Sequence, residues 1–254
     1  MGNVFDRYAK YYDLLYMDKN YAEECDFLEE VFRRYQNRKP KKILDLGCGT
    51  GNHLTLLAQR EYEMVGIDAS EPMIEIAKNK IQKMNLNARL YNLDIRNFSL
   101  NQKFDAAICM FATVDYLIEN RDLQKSFDNI RRHLRLKGLF VFDFWYGPAV
   151  LTIKPSVRVK TLEKNGLKVI RIVTPELNSL KHTVTSNYHI ISMERNNIID
   201  EIEESHIVRF FFPQEIRHYL EENSFQLLEI WEFPKLNKLP TEKTWNAVAI
   251  AKAI

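Results

Sequence analysis

Between residues 21 and 36, Leu28, Val31, Phe32 and Tyr35 recur at the i, i+3, i+4, i+7 spacing that puts apolar side chains on one face of a helix, and the pattern stops at Arg38, Lys39 and Pro40. Beyond that break the rhythm changes. Short apolar runs at 43–46, 64–67, 88–93, 106–111 and 139–145 alternate with helical stretches over 52–60, 71–84 and 121–134. Strand, helix and strand in regular alternation predict an α/β fold with a parallel, doubly wound sheet. Ser70 stands where an N-cap is wanted and Pro72 in the first turn, while Met73, Ala77, Ile81 and Met84 share one face of the helix over 71–84. Leu123, Phe127, Ile130 and Leu134 line the next helix, which Gly138 terminates.

From about residue 148 to 205 the helical rhythm is lost. Val157, Val159 and Thr161 alternate with charged residues, Asn165-Gly166 is a strong hairpin signal, and 167–173, 182–193 and 198–210 read as further β-rich segments. This is an antiparallel β excursion. A helix over 213–223 and strands over 226–233 and 245–253 then bring the sheet to seven strands. The expected division is therefore a Rossmann-like core with an N-terminal helical cap at 1–147, the insertion at 148–205 placed over the site, and completion of the core sheet at 206–254.

A chain of 254 residues can bury a sizeable core and suits one α/β domain with an insertion rather than two equal domains. The net charge of +2 offers no general attraction to nucleic acid or acidic lipid, so a small substrate fits better. The longest apolar stretch, near 139–151, is broken by Asp143, Gly147 and Pro148 and falls short of the roughly 20 residues of a membrane span. No secretory h-region precedes the first helix. Three cysteines without CxxC spacing point to a reducing compartment, hence the cytoplasm. The six histidines, His53, His133, His182, His189, His206 and His218, show no metal-ligand spacing and read as surface or satisfied-core residues.

Chemistry concentrates where the strands end. The run from Ile43 to Gly51, ILDLGCGTG, sets a glycine-rich turn between the first strand and a helix, where backbone can approach a ligand that a Cβ would exclude. Asp68 ends the second strand 21 residues after Gly47, placed to accept both hydrogen bonds of a ribose diol; capping the next helix is its plainer role. Asp94 and Ile95 close the third strand with an acceptor and an apolar shelf that would suit adenine. Successive features of this kind predict a nucleoside site. The dinucleotide fingerprint needs glycine at position 52, which is Asn52, and Asp45 two residues ahead of Gly47 completes a DxGxGxG arrangement instead.

That arrangement resembles motif I of the Rossmann-like S-adenosylmethionine-dependent methyltransferases. With Tyr12–Tyr16, Tyr21, Gly66–Asp68, Met73, Phe104-Asp105, Tyr116-Leu117 and the segment from Gly138 to Asp143, the likeness extends over residues 8–147 and is similar to the family's small-molecule branch. Met110–Thr113 and Phe144–Tyr146 resemble the matching stretches of amino-sugar N,N-dimethyltransferases. The resemblance implies S-adenosyl-L-methionine as cofactor. It places Gly47 and Gly49 under the methionine part, with Asp45 and Cys48 in the same turn, Asp68 and Ala69 at the ribose, and Asp94 and Ile95 beside adenine. Tyr12 and Tyr21 would close over the cofactor from a single N-terminal helix, Met73 would also contact it, and Met110 would sit near the sulfonium. Cys48 and Cys109 also read as small apolar packing residues.

In-line methyl transfer requires an aligned lone pair on the acceptor, and positioning supplies most of the catalysis. An amine must also lose a proton, which makes Asp115, Tyr116 and Asp143 candidate proton acceptors or amine anchors, with structural hydrogen bonding as the alternative for each. Phe111, Trp145 and Tyr146 are expected to contact the acceptor. The leading reading is N-methylation of a small amine such as a nucleotide-linked amino sugar, by a possible homodimer without nucleic-acid, membrane or metal partners. Methylation of RNA or protein is the rival within enzymes, although the N/D-P-P-Y/F motif of exocyclic-amine enzymes is replaced here by Met110–Thr113. A catalytically idle cofactor-binding domain is the alternative of a different class.

Overall fold

The computed structural model describes residues 5–254. Its main sheet has seven strands: β1 (Lys42–Leu46), β2 (Glu63–Asp68), β3 (Ala88–Asn92), β4 (Phe104–Cys109), β5 (Leu134–Trp145), then, beyond a second sheet, β10 (Phe225–Glu232) and β11 (Asn246–Ala253). Their spatial order is β10-β11-β5-β4-β1-β2-β3. The first five run parallel, and β11 inserts antiparallel between β5 and β10. Strand order reverses between β1 and β4, so the crevice where the two halves diverge opens at the carboxyl ends of these strands.

Alternation along each strand decides which helices cover which face. Leu44, Phe140 and Phe142 join Phe127 and Ile130 of α5 (Asn120–His133) and Ile216 and Leu220 of α7 (Pro213–Glu222) in one apolar layer. Ile43, Met64, Ile108 and Val141 meet Leu28, Val31 and Phe32 of α2 (Tyr21–Tyr35), Leu54 and Leu57 of α3 (Asn52–Gln59), and Ile74 of α4 (Glu71–Met84) in the other. By the same parity Asp45 and Asp143 lie on the α2 and α3 side.

The tyrosine-rich start is two helices, not one. α1 (Ala9–Leu15) ends before Asn20, whose side chain accepts the Glu23 N–H and restarts the chain as α2. Tyr12 and Tyr21 therefore reach the crevice from different helices. The second sheet is an antiparallel meander of β6 (Arg158–Lys164), β7 (Leu167–Asn178), β8 (Thr183–Glu194) and β9 (Asn197–Arg209). Asn165 and Gly166 both take positive φ, 51° and 80°, as a two-residue hairpin turn with matching twist requires. The segment after β5 opens with a short helix, α6 (Gly147–Ile153), that the sequence reading lacked, and β9 ends at Arg209, in line with the β segment read over 198–210. The meander packs Val169, Ile190 and Ile202 against Tyr8, just before α1, and Tyr11 and Leu15 within it, which holds that helix between the two sheets.

Candidate active site

The turn after β1 owes its shape to its glycines. Gly47, at φ 65°, backs onto the chain after β4 so closely that a Cβ would lie 2.3 Å from Thr113 Cγ2, whereas a Cβ on Gly49, at φ 54°, would meet nothing within 4 Å. Gly49 is thus the member that faces open space. Its N–H donates to Asp68 Oδ2 at 2.8 Å, and the Ser70 N–H donates to Oδ1 at 2.8 Å, so one carboxylate ties the turn to the end of β2. Ser70, not Asp68, caps α4 through the Met73 N–H. Two accepted bonds leave a carboxylate with spare lone pairs for a further ligand. Burial raises the Asp68 carboxyl despite these bonds. Asp45, beside it, is 2 % exposed with an unpartnered Oδ2, and burial followed by the Asp68 charge pushes it up to about 8.

Across the switch point, β4 ends earlier than its apolar pattern suggests, and Met110 and Phe111 belong to a sharp turn. Phe111 and Ala112 both adopt left-handed backbone, φ 67° and 57°, a conformation costly for residues with side chains and concentrated at functional sites. Two carboxylates hold this turn in place. The Ala112 N–H donates to Asp143 Oδ1 at 3.1 Å, and the Trp145 N–H to Asp115 Oδ2 at 2.9 Å. Their other oxygens, Asp143 Oδ2 and Asp115 Oδ1, are buried without a partner. Burial pushes Asp143 up to about 7; burial and then the Asp143 charge hold Asp115 well above the usual carboxylate range.

Helical residues enclose the opening from the other side. The Tyr12 and Tyr16 rings approach each other to 4.8 Å, the Phe111 ring meets Tyr16 edge-on at 4.9 Å, and Lys19 Nζ lies 4.6 Å over Phe111. Met73 packs with Ala9 and Tyr12 in the same cluster. Asp13 fastens α1 to the turn: Oδ1 accepts from Thr50 Oγ1 at 2.7 Å and Asn52 Nδ2 at 3.2 Å, and Oδ2 meets Lys80 Nζ at 2.7 Å. Glu24 on α2, paired with Lys19, also bonds His53 Nε2 on α3 at 2.6 Å. The Tyr21 hydroxyl is buried nearby without a partner.

Residues 43–138 match the methyltransferase-domain family. Over 205 residues the chain is 30% identical to the dTDP-3-amino-3,6-dideoxy-alpha-D-glucopyranose N,N-dimethyltransferase of Streptomyces fradiae, covering 80% of this chain and 77% of that enzyme. The chain belongs to the S-adenosylmethionine-dependent methyltransferases. It is also 30% identical over 169 residues to the dTDP-3-amino-3,4,6-trideoxy-alpha-D-glucopyranose N,N-dimethyltransferase of Streptomyces venezuelae, 65% of this chain and 68% of the relative. A S-adenosylmethionine-dependent methyltransferase from Clostridium acetobutylicum shares the fold at TM-score 0.82 and 24% identity, with 96% of each chain covered.

S-adenosyl-L-methionine is the methyl donor of this family, and the strand tips fit that donor. Open space at Gly49, the spare acceptor capacity of Asp68, and unpartnered buried oxygens on Asp45, Asp143 and Tyr21 would suit a ligand that brings two cationic centres and a diol. Among the expected residues, Asp45, Gly47, Gly49, Asp68, Tyr12, Tyr21, Met110, Phe111, Asp115 and Asp143 gather at these tips. Others are engaged in contacts of their own. The Cys48 thiol turns into the apolar layer beneath Gly66. β3 ends at Asn92, which donates to the carbonyls of Asp68 and Ala69, and Asp94 follows in the next turn, chelated by its neighbour Arg96. Ile95 packs on the α5 side of the sheet. Trp145 meets Trp245 edge-on at 5.2 Å and shares a cluster with Tyr116, whereas Tyr146 joins the opposite apolar layer. Asp13, Lys19, Glu24, His53 and Lys80 were absent from the expected set. A surface groove of 830 Å³ between the β3–β4 connection and α5, lined by Arg96, Lys103 and Arg132, contains none of these tip residues.

Proposed function

We propose that the methyltransferase N-methylates a small amine, with a nucleotide-linked amino sugar as the specific acceptor, as the activities of the Streptomyces relatives suggest. The observation that carries this reading is the pair Asp115 and Asp143, two buried carboxyls whose free oxygens adjoin the left-handed turn at Phe111 and Ala112. Such acceptors, next to the aromatic rings of Phe111 and Tyr16, suit a cationic ammonium and the amine formed from it.

In this reading Gly47 and Gly49 pass beneath the methionine part, Asp45 meets its ammonium, Asp68 holds the ribose hydroxyls, and Asp94 with Ile95 borders adenine. Tyr12 and Tyr21 close the site from α1 and α2, with Met73 behind Tyr12 and Met110 near the sulfur. Phe111 and Trp145 flank the acceptor. The bound donor supplies an electrophilic methyl on a cationic sulfur, so the chain's own task is alignment, exclusion of water and removal of a proton from the amine. Three free, buried cysteines suit a cytoplasmic enzyme, and the outer strand β6, with Val159 exposed, offers an edge to a second copy. Among the described residues no helix is long and apolar enough to cross a membrane.

The test is turnover of methyl-labelled S-adenosylmethionine with dTDP-amino sugars, simple amines, the corresponding hydroxy sugars and bulk RNA. Label on the amino sugars alone supports the proposal. Transfer to RNA, or to the hydroxy sugars in preference, would replace it.

A further inference from the structure

Tyr116 does not end in the apolar cluster that holds its ring. Its hydroxyl lies 2.8 Å from His206 Nδ1 on β9, and His206 Nε2 lies 3.2 Å from Glu204 Oε2. Glu204 in turn accepts the Phe5 N–H at Oε2 and the Tyr8 N–H at Oε1, each at 3.0 Å. A continuous polar chain therefore runs from the N-terminal segment, through the second sheet, to the 3-10 turn at Thr113–Tyr116 that follows β4. His206 is 1 % exposed and wrapped by the rings of Phe5, Tyr8 and Tyr188. An apolar side chain would fill that space without the desolvation cost of an imidazole and a carboxylate.

The direction of the chain follows from Glu204. Burial raises its carboxyl, but the bonds from His206, Tyr8 and Phe5 outweigh burial and leave it lowered, hence ionised and able only to accept. Nε2 must then carry the proton, and in the neutral ring Nδ1 has a lone pair. Tyr116 donates to it, which turns the lone pairs of the phenolic oxygen toward other donors. The remaining groups around the ring are the Tyr8 and Tyr188 phenols, Arg171, whose Nη1 donates to Tyr8 at 3.2 Å, and Ser186 opposite on β8. Burial first, and the Asp143 charge with it, raises the carboxyl of Asp115, next to Tyr116 in the chain, well above the usual carboxylate range.

We propose that His206, backed by Glu204, is a positioning residue that makes the Tyr116 hydroxyl the proton acceptor for the substrate ammonium. The proposal rests on the N-methylation reading. The ammonium N–H bond breaks as an O–H bond forms on Tyr116, and the original Tyr116 proton moves to Nδ1. Positive charge leaves the substrate and reappears on the imidazole beside Glu204. The nitrogen keeps the electron pair that then forms the N–C bond to the methyl group, and the proton returns along the same path when the crevice opens to water.

Nitrogen-15 NMR of histidine-labelled protein tests the chain without turnover. A neutral His206 protonated on Nε2, with an Nδ1 signal that moves in Tyr116→Phe, is expected; an Nδ1-protonated ring, or no response to Tyr116→Phe, overturns the proposal. Kinetics with two amine acceptors tests its purpose. With a strongly basic amine, His206→Asn should lower kcat about 100-fold at pH 7, the loss shrinking as pH rises past the amine's own pKa. With an amine that is already neutral at pH 7 the change should stay below about threefold. Tyr116→Phe should show the same split, and an unchanged affinity for S-adenosylhomocysteine certifies folding of both variants. Equal losses on both amines at every pH refute the relay while leaving N-methylation intact. Failure of the wild type to methylate any amine removes both.

Discussion

Asp45 offers a sharp test because its burial links cofactor binding to protons. In the unfolded chain its carboxyl ionises near about 3.9, whereas in the folded protein it is pushed up to about 8. Between those values the folded state holds a proton that the unfolded state has released. The ligand-free protein should therefore lose stability as pH rises, by about 1.4 kcal/mol per unit from this one group, until the slope ends near pH 8. A cation seated against the carboxylate reverses the preference and lets Asp45 ionise. Association with S-adenosylmethionine should then release close to one proton from Asp45 at pH 7, and the contribution to affinity should grow roughly 30-fold between pH 5.5 and 7. Asp143, pushed up to about 7, adds a smaller share of the same sign. Calorimetry at pH 7 in buffers of different ionisation enthalpy counts the protons, and melting from pH 5 to 8 follows the free protein. Asp45→Asn keeps the shape and removes the titration. It should lower the count by about one proton, flatten the affinity slope, and melt above the wild type increasingly as pH rises toward 8. An unchanged proton count in Asp45→Asn, or no proton release by the wild type, refutes the reasoning.

The two turn glycines should separate folding from binding. Gly47→Ala should lower stability by at least about 2 kcal/mol in urea denaturation, because its Cβ meets Thr113 as well as a left-handed backbone. Gly49→Ala should cost only about 1 kcal/mol yet weaken S-adenosylhomocysteine binding by tenfold or more in calorimetry, since its Cβ enters open space reserved for ligand. Asp13→Ala, which releases α1 from Thr50, Asn52 and Lys80, should raise the cofactor Kd about tenfold and speed dissociation in stopped-flow, with urea denaturation of the core little changed. His53→Ala strips a buried partner from Glu24 and should reduce unfolding free energy by about 2 kcal/mol, read from the urea midpoint.

The parts of this site that were legible in the sequence are those whose partners lie close along the chain or at the ends of regular elements. Asp45, Gly47 and Gly49 sit within one turn, and Asp68 ends the very next strand, so strand periodicity alone brings them together. The chain also kept the alternation that assigns Ile43 and Leu44 to opposite faces. What sequence spacing misses is pairing between elements that meet only after folding. His206 reads from the sequence as a surface or satisfied-core residue because no ligand spacing surrounds it, yet folding sets it beside Tyr116, 90 residues away. His53 and Glu24 meet in the same fashion across α2 and α3, and Asp13 finds Lys80 on α4. Short polar devices redrew boundaries as well: Asn20 splits the tyrosine-rich start, and the left-handed pair Phe111 and Ala112 ends β4 at Cys109 within an unbroken apolar run.

These unread pairings share one direction. Asp13 pulls α1 onto the glycine turn, Glu204 accepts the backbone of residues 5 and 8, and His206 reaches from the second sheet to the tip of β4. The N-terminal segment is therefore fixed by polar contacts to the main sheet on one side and to the second sheet on the other. Beside the apolar packing of Tyr8, Tyr11 and Leu15 on the meander, these hydrogen bonds are the contacts that can part and re-form as ligands enter. Because Glu204 spans both the helical strap and the His206 ring, Glu204→Gln should couple the two effects. It should loosen cofactor retention as Asp13→Ala does and alter the His206 tautomer as well, whereas Asp13→Ala should leave the tautomer unchanged.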